Sequence, residues 1–162
     1  DITTYYFFRK VLGLSQEEEV RRIRAFEQSP YSAQVLPLEG AQQGVECLAR
    51  TNTLAIVTAR PTALQRVTDE WINRYFPGKF SKVHHTNQAG SNGPKTTKAR
   101  VCRRAAIELL IEDSREEVLE CHEVGIPGYL LDYPWNQGAL LLTYQRMRSW
   151  EEIADAMCNH RQ

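Results

Sequence analysis

The 162-residue chain has no net charge: 20 lysines and arginines balance 20 aspartates and glutamates. Nothing in that balance supports binding to a nucleic-acid polymer through bulk charge. Long hydrophobic runs are also missing. No apolar stretch approaches the roughly 18 residues of a membrane span, and no secretory leader pattern is visible. Cysteine is scarce. Cys47, Cys102, Cys121 and Cys158 are widely spaced and form no CxxC pair. Three of them fall in helical patterns, which predicts reduced, buried thiols in a cytoplasmic protein rather than disulfides or zinc ligands. Repeats and low-complexity segments are absent.

What is present describes a globular chain with a core: 42% of residues are hydrophobic and 25% charged. The length suits one domain of ordinary size with a small insertion. The organising stretch is Thr53 to Pro61. Its residues Leu54 to Thr58 are apolar or β-branched throughout, which predicts a strand buried on both faces of a parallel sheet. Such a strand would deliver Thr58, Ala59 and Arg60 to the crevice beyond its carboxyl end, where open α/β sheets bind ligands.

The remaining elements alternate around it. Residues 1–35 read as helical, with an apolar patch of Tyr5, Tyr6, Phe7, Phe8, Val11 and Leu12, then a break at Gly13. Ser15 and Glu18 form a capping box for a helix carrying Val20, Ile23 and Phe26 at inward spacing. Pro37 is expected to start a third helix that faces Val45 and Leu48 inward. A helix over about 62–75 follows the first strand and is stopped by Phe76-Pro77-Gly78. The pattern then predicts a strand near 80–86, a loop over 87–94, and a helix capped by Thr96 or Thr97. Further strands are predicted near 108–111, 128–132 and 140–143, with helices around Val118 and over 150–157. Strands alternating with helices imply an α/β fold with a parallel sheet.

Three strand ends carry chemistry: Thr58-Ala59-Arg60, Glu112-Asp113-Ser114, and Asp132-Tyr133-Pro134-Trp135-Asn136. Lys98 lies 15 residues before Asp113. A hydroxyl and an ammonium can hold phosphate oxygens, and a carboxylate can hold Mg²⁺, which is the equipment of phosphoryl transfer. Acids after a buried strand also suit plain capping of the next helix. His84-His85 reads as an ordinary strand end, since adjacent strand positions face opposite ways.

The order Ile56-Val57-Thr58-Ala59-Arg60-Pro61, then Lys98, then Leu110-Ile111-Glu112-Asp113-Ser114 resembles the haloacid dehalogenase-like (HAD) hydrolase superfamily. The stretch Asp132 to Asn136 is similar to its deoxyribonucleotidase-like branch. The resemblance covers roughly residues 45–157. It implies a Rossmann-like three-layer parallel sheet as the core (37–162), with a small helical cap (1–36). It also implies Mg²⁺ dependence and hydrolysis of a small phosphorylated substrate. By the same resemblance Thr58 binds the transferring phosphoryl group, with Ala59 and Arg60 beside it. Lys98 stabilises nucleophile and phosphate, with Lys95 as the alternative, and Asp113 with Glu112 holds Mg²⁺.

The family's first motif, a buried strand ending in Asp-x-Asp, has no counterpart in the chain. Asp1 has no strand before it, and Thr3 stands where the second aspartate would be required. The expectation is an upstream strand belonging between those that end at Thr58 and Asp113. The competing expectation is a catalytically inactive HAD-like module that binds a partner or a phosphorylated ligand. Transfer to an acceptor other than water stays open as a third.

Overall fold

The computed structural model describes residues 12–87, 94–138 and 144–159. The predicted aromatic patch at Tyr5 to Phe8 and the predicted strand over 140–143 lie outside these. Helix α1 (Gln16–Glu27) opens at Ser15, whose Oγ accepts from the Glu18 amide at 3.2 Å, while the Glu18 carboxylate bonds Arg21 and Arg22. Its apolar positions do not enter a core among the described residues, and Phe26 stays 47% exposed. A 3₁₀ turn (Pro30–Gln34) follows.

Helix α2 (Ala41–Leu48) begins four residues later than Pro37. Gly40, at φ +73°, supplies the left-handed turn that sets the start, a conformation glycine adopts without steric cost. Val45 and Leu48 face inward as expected, at 3% and 2% exposure, each worth about 1.5–3 kcal/mol of burial.

Among the described residues five strands follow, parallel within their sheets: β1 (Leu54–Thr58), β2 (Phe80–His85), β3 (Leu110–Glu112), β4 (Gly128–Leu131) and β5 (Tyr144–Met147). The helices between and after them are α3 (Gln65–Tyr75), α4 (Lys98–Arg104), α5 (Arg115–Glu123) and α6 (Trp150–Ala154), the last running into a π turn (Asp155–Asn159). Thr97, Ser114 and Ser149 cap α4, α5 and α6 through their hydroxyls. The fold is therefore mixed α/β with parallel strands, as the alternation of patterns predicts.

Among the described residues the strands form two sheets, β1-β2 and β3-β4-β5. β1 and β3 each show an edge with no strand bonded to it. All five β1 residues are half-buried rather than fully buried, since β2 is the one strand bonded to β1 among the described residues.

The core nevertheless runs across both sheets. Val57 of β1 joins Leu110 of β3 in a cluster with Ala99, Cys102, Cys121 and Ile126. Leu54 of β1 joins Ile111 of β3 in a second cluster with Leu48, Leu131, Met147 and Ile153. Side chains alternate along a strand, so Leu54 and Val57 leave β1 on opposite faces, and Leu110 and Ile111 do the same on β3. Helices α4 and α5 thus cover one side of both edges, and α2 and α6 the other.

The same packing corrects the cysteine expectation. Cys47 on α2 and Cys158 beyond α6 are joined in a disulfide, their Cα atoms 6.5 Å apart across 111 residues of sequence. Packing of α2 against the terminal turn makes this pair, and sequence spacing cannot show it. Cys102 and Cys121 are free and buried. No helix among the described residues is long and apolar enough to cross a membrane.

Candidate active site

The carboxyl ends of β1, β2, β3 and β4 carry the polar residues. At the end of β1, Thr58 Oγ1 accepts from the Arg60 amide at 3.3 Å, folding the chain into a tight turn past Ala59. The Thr58 carbonyl accepts from the Thr86 amide at 2.9 Å and extends the β1-β2 ladder by one rung. The Arg60 guanidinium reaches Thr68 Oγ1 on α3 at 3.4 Å. It also faces Glu27 at the end of α1. Burial pushes the Glu27 carboxyl up, and Arg60 and Arg24 partly offset that.

At the end of β3 the bonding is denser. Lys98, the first residue of α4, donates to Glu112 Oε2 at 2.5 Å. The two side chains are only 11% and 9% exposed. Glu112 Oε1 turns to its own loop and accepts from the Asp113 and Ser114 amides at 3.0 and 3.3 Å. Burial works against both charges. Attraction outweighs it, so the Lys98 ammonium titrates above the usual lysine range and the Glu112 carboxyl below the usual carboxylate range. Asp113 and Glu117 add to the negative field around Lys98. Burial leaves Glu117 with a raised value. Lys95, the alternative lysine, is exposed.

The structure thus brings Lys98 and Glu112 into contact beside Asp113, and Thr58 together with Arg60. Among the described residues no hydrogen bond or ion pair links Lys98 or Glu112 to Thr58 or Arg60. The two halves sit at the ends of the two strands whose open edges share the core.

Magnesium needs near-octahedral oxygen ligation. Among the described residues no three His, Cys, Asp or Glu side chains gather as a metal site, and both oxygens of Glu112 are engaged.

Sequence reasoning left Asn87 in a loop and named Asn136 only as the end of the stretch that begins at Asp132. Asn87, at φ +58°, accepts from the Thr62 amide at 2.8 Å and donates to the Pro94 carbonyl at 3.1 Å, tying the loops after β1 and β2 together. Asn136 is 3% exposed and links the ends of β3, β4 and β5. An Asn in the turn after a strand was the available signal for each.

These features define a parallel α/β protein with a buried lysine–carboxylate pair and a threonine turn at the strand ends. No family model matches the chain. It is similar to two proteins named as nucleotidases. One is "Putative nucleotidase BH1399" of Halalkalibacterium halodurans, 28% identical over 153 residues, covering 94% of this chain and 73% of that protein. The other is "Putative nucleotidase YqfW" of Bacillus subtilis, 27% identical over 159 residues, covering 98% of this chain and 78% of that protein.

Proposed function

We propose that this protein is a nucleotide phosphatase of the HAD type: a Mg²⁺-dependent phosphomonoesterase with a three-layer core, a helical cap and a strand between β1 and β3. The observation that carries the reading is the placement of Thr58 and of the Lys98–Glu112 pair at the ends of two parallel strands. The two strands contribute to the same two core clusters without bonding to each other. The nucleotidase names of the two relatives support a nucleotide as the substrate class.

In this reading the Thr58 hydroxyl binds the oxygens of the phosphoryl group, with Ala59 and Arg60 beside it. The Lys98 ammonium neutralises charge that grows on those oxygens in the transition state. Glu112 fixes the Lys98 rotamer, so that charge is in position before substrate arrives. Asp113 is the acid assigned to Mg²⁺, with its other ligands and the attacking carboxylate on the strand proposed for the gap. Water is consumed, and an alcohol and inorganic phosphate are released.

Phosphate release from a broad panel of phosphomonoesters in Mg²⁺, by the protein extended upstream of Asp1, tests this. Hydrolysis of nucleoside monophosphates is expected, and hydrolysis of none of the panel would defeat it. The chain itself contains no Asp-x-Asp, which favours a second reading: a binding module without catalysis. An upstream reading frame with no apolar run ending in Asp-x-Asp would select that reading.

A further inference from the structure

Asn136 lies in the 3₁₀ turn (Pro134–Asn136) after β4, and its side chain has no hydrogen-bonding capacity to spare. Nδ2 donates to the carbonyls of Asp113 at 2.9 Å and Leu131 at 2.6 Å. Oδ1 accepts from the Tyr133 amide at 3.2 Å and from Arg146 Nη1 at 2.7 Å. An amide offers two donors and two acceptor lone pairs, so all four are used. The amide orientation is also fixed. The flipped form would set an oxygen against two carbonyls and an NH₂ against two donors.

Arg146 on β5 locks this arrangement from outside. Its Nη1 also donates to Asp132 Oδ1 at 2.7 Å, and its Nη2 to the Asn136 carbonyl at 3.0 Å. One buried amide therefore connects β5 and the end of β4 to the peptide carrying Asp113. That peptide leads into Ser114, the cap of α5, and follows Glu112, the partner of Lys98.

We propose that Asn136 is a positioning residue for the acidic loop, holding the Asp113 peptide so that its carboxylate stays in the position that the phosphatase reading gives it. The catalytic part of this rests on the phosphatase reading, whereas the positioning part does not. Aspartate at 136 is nearly the same shape and keeps both acceptor contacts. It replaces the donor with a carboxylate oxygen facing two carbonyls, so it breaks the links to Asp113 and Leu131 while sparing those to Tyr133 and Arg146.

Asn136→Asp, Arg146→Gln and Gln137→Ala provide the test. Gln137 bonds Asp132 and the Tyr133 carbonyl in the same turn and is not bonded to Asp113. The backbone carbonyl ¹³C signal of Asp113 and the Ser114 amide signal are read by NMR on the 162-residue chain. Both should move in N136D, move less in R146Q, and stay in place in Q137A. If N136D is too unstable to assign, R146Q alone decides, and unmoved signals there overturn the proposal. In the hydrolysing protein, N136D should lower kcat by about 100-fold, the cost of a misplaced group, with KM nearly unchanged and Q137A near wild type. A loss confined to KM, or an equal loss in Q137A, would overturn the proposal. If the wild type hydrolyses nothing, the phosphatase reading has failed and the NMR signals still decide the positioning.

Discussion

Lys98 and Glu112 sit 2.5 Å apart with nine-tenths of each side chain removed from water. A pair this buried is costly to break from one side, because the remaining charge loses its opposite charge. Lys98→Met or Glu112→Gln should each destabilise the fold by about 3–5 kcal/mol. Replacing both with apolar residues should cost far less. Urea unfolding of the two single variants and the double variant measures this, and a single-variant cost under about 1 kcal/mol, the size of a surface pair, would contradict it.

The same pair sets a pH window. Glu112 has a lowered value in the folded state, so its contribution is present above the unfolded glutamate value and is lost as pH falls through the folded one. Lys98 has a raised value, so its contribution is present below the unfolded lysine value and is lost as pH rises through the folded one. The stability difference between wild type and the apolar double variant should therefore be flat between about pH 4.5 and 10 and change outside it. Denaturant titrations across that range give the curve. A slope near pH 7 would mean another group dominates.

Gly128 allows β4 to lie against α5. A Cβ there would stand 2.6 Å from Val118 Cγ1, and Val118 is fully buried. Gly128→Ala should destabilise by about 1–3 kcal/mol through overpacking. Val118→Ala makes the room back, so the double variant should be more stable than the sum of the singles implies. Thermal melts of the four proteins check it, and strict additivity would rule the contact out.

Much of the frame is legible in the sequence, and the reasons are local. Leu54 to Thr58 reads as a strand because five consecutive apolar or β-branched residues suit little else. Ser15, Thr97 and Ser149 mark helix starts because a hydroxyl before the first turn satisfies an orphan amide. The Cys47–Cys158 bridge could not be read, since it depends on α2 meeting the end of the chain. The site divides the same way. Thr58, Lys98 and Glu112 announce themselves by residue type at strand and helix ends. That Glu112 is held by Lys98 and two amides depends on how α4 packs beside β3. Asn136 was quoted as part of a motif, but its four bonds exist only once β3, β4 and β5 are aligned.

The disulfide separates the four thiols into two classes. Alkylation of the unfolded, unreduced protein should label Cys102 and Cys121 and spare Cys47 and Cys158. Reduction should lower stability by roughly 4 kcal/mol if loop closure across more than 100 residues dominates. Intact mass before and after reduction reports the labelling. Four labelled thiols without reductant would contradict the bridge.

The central claim is that the catalytic machinery at Thr58, Lys98 and Asp113 is completed by a strand between β1 and β3. Phosphate release from a nucleoside monophosphate in Mg²⁺, measured for this 162-residue chain and for the protein extended upstream, tests it most directly. The account predicts no turnover by the chain, turnover by the extended protein, and its loss in the extended Asp113→Asn variant with the fold intact. Equal turnover by the chain alone, or none by the extended protein, would contradict it.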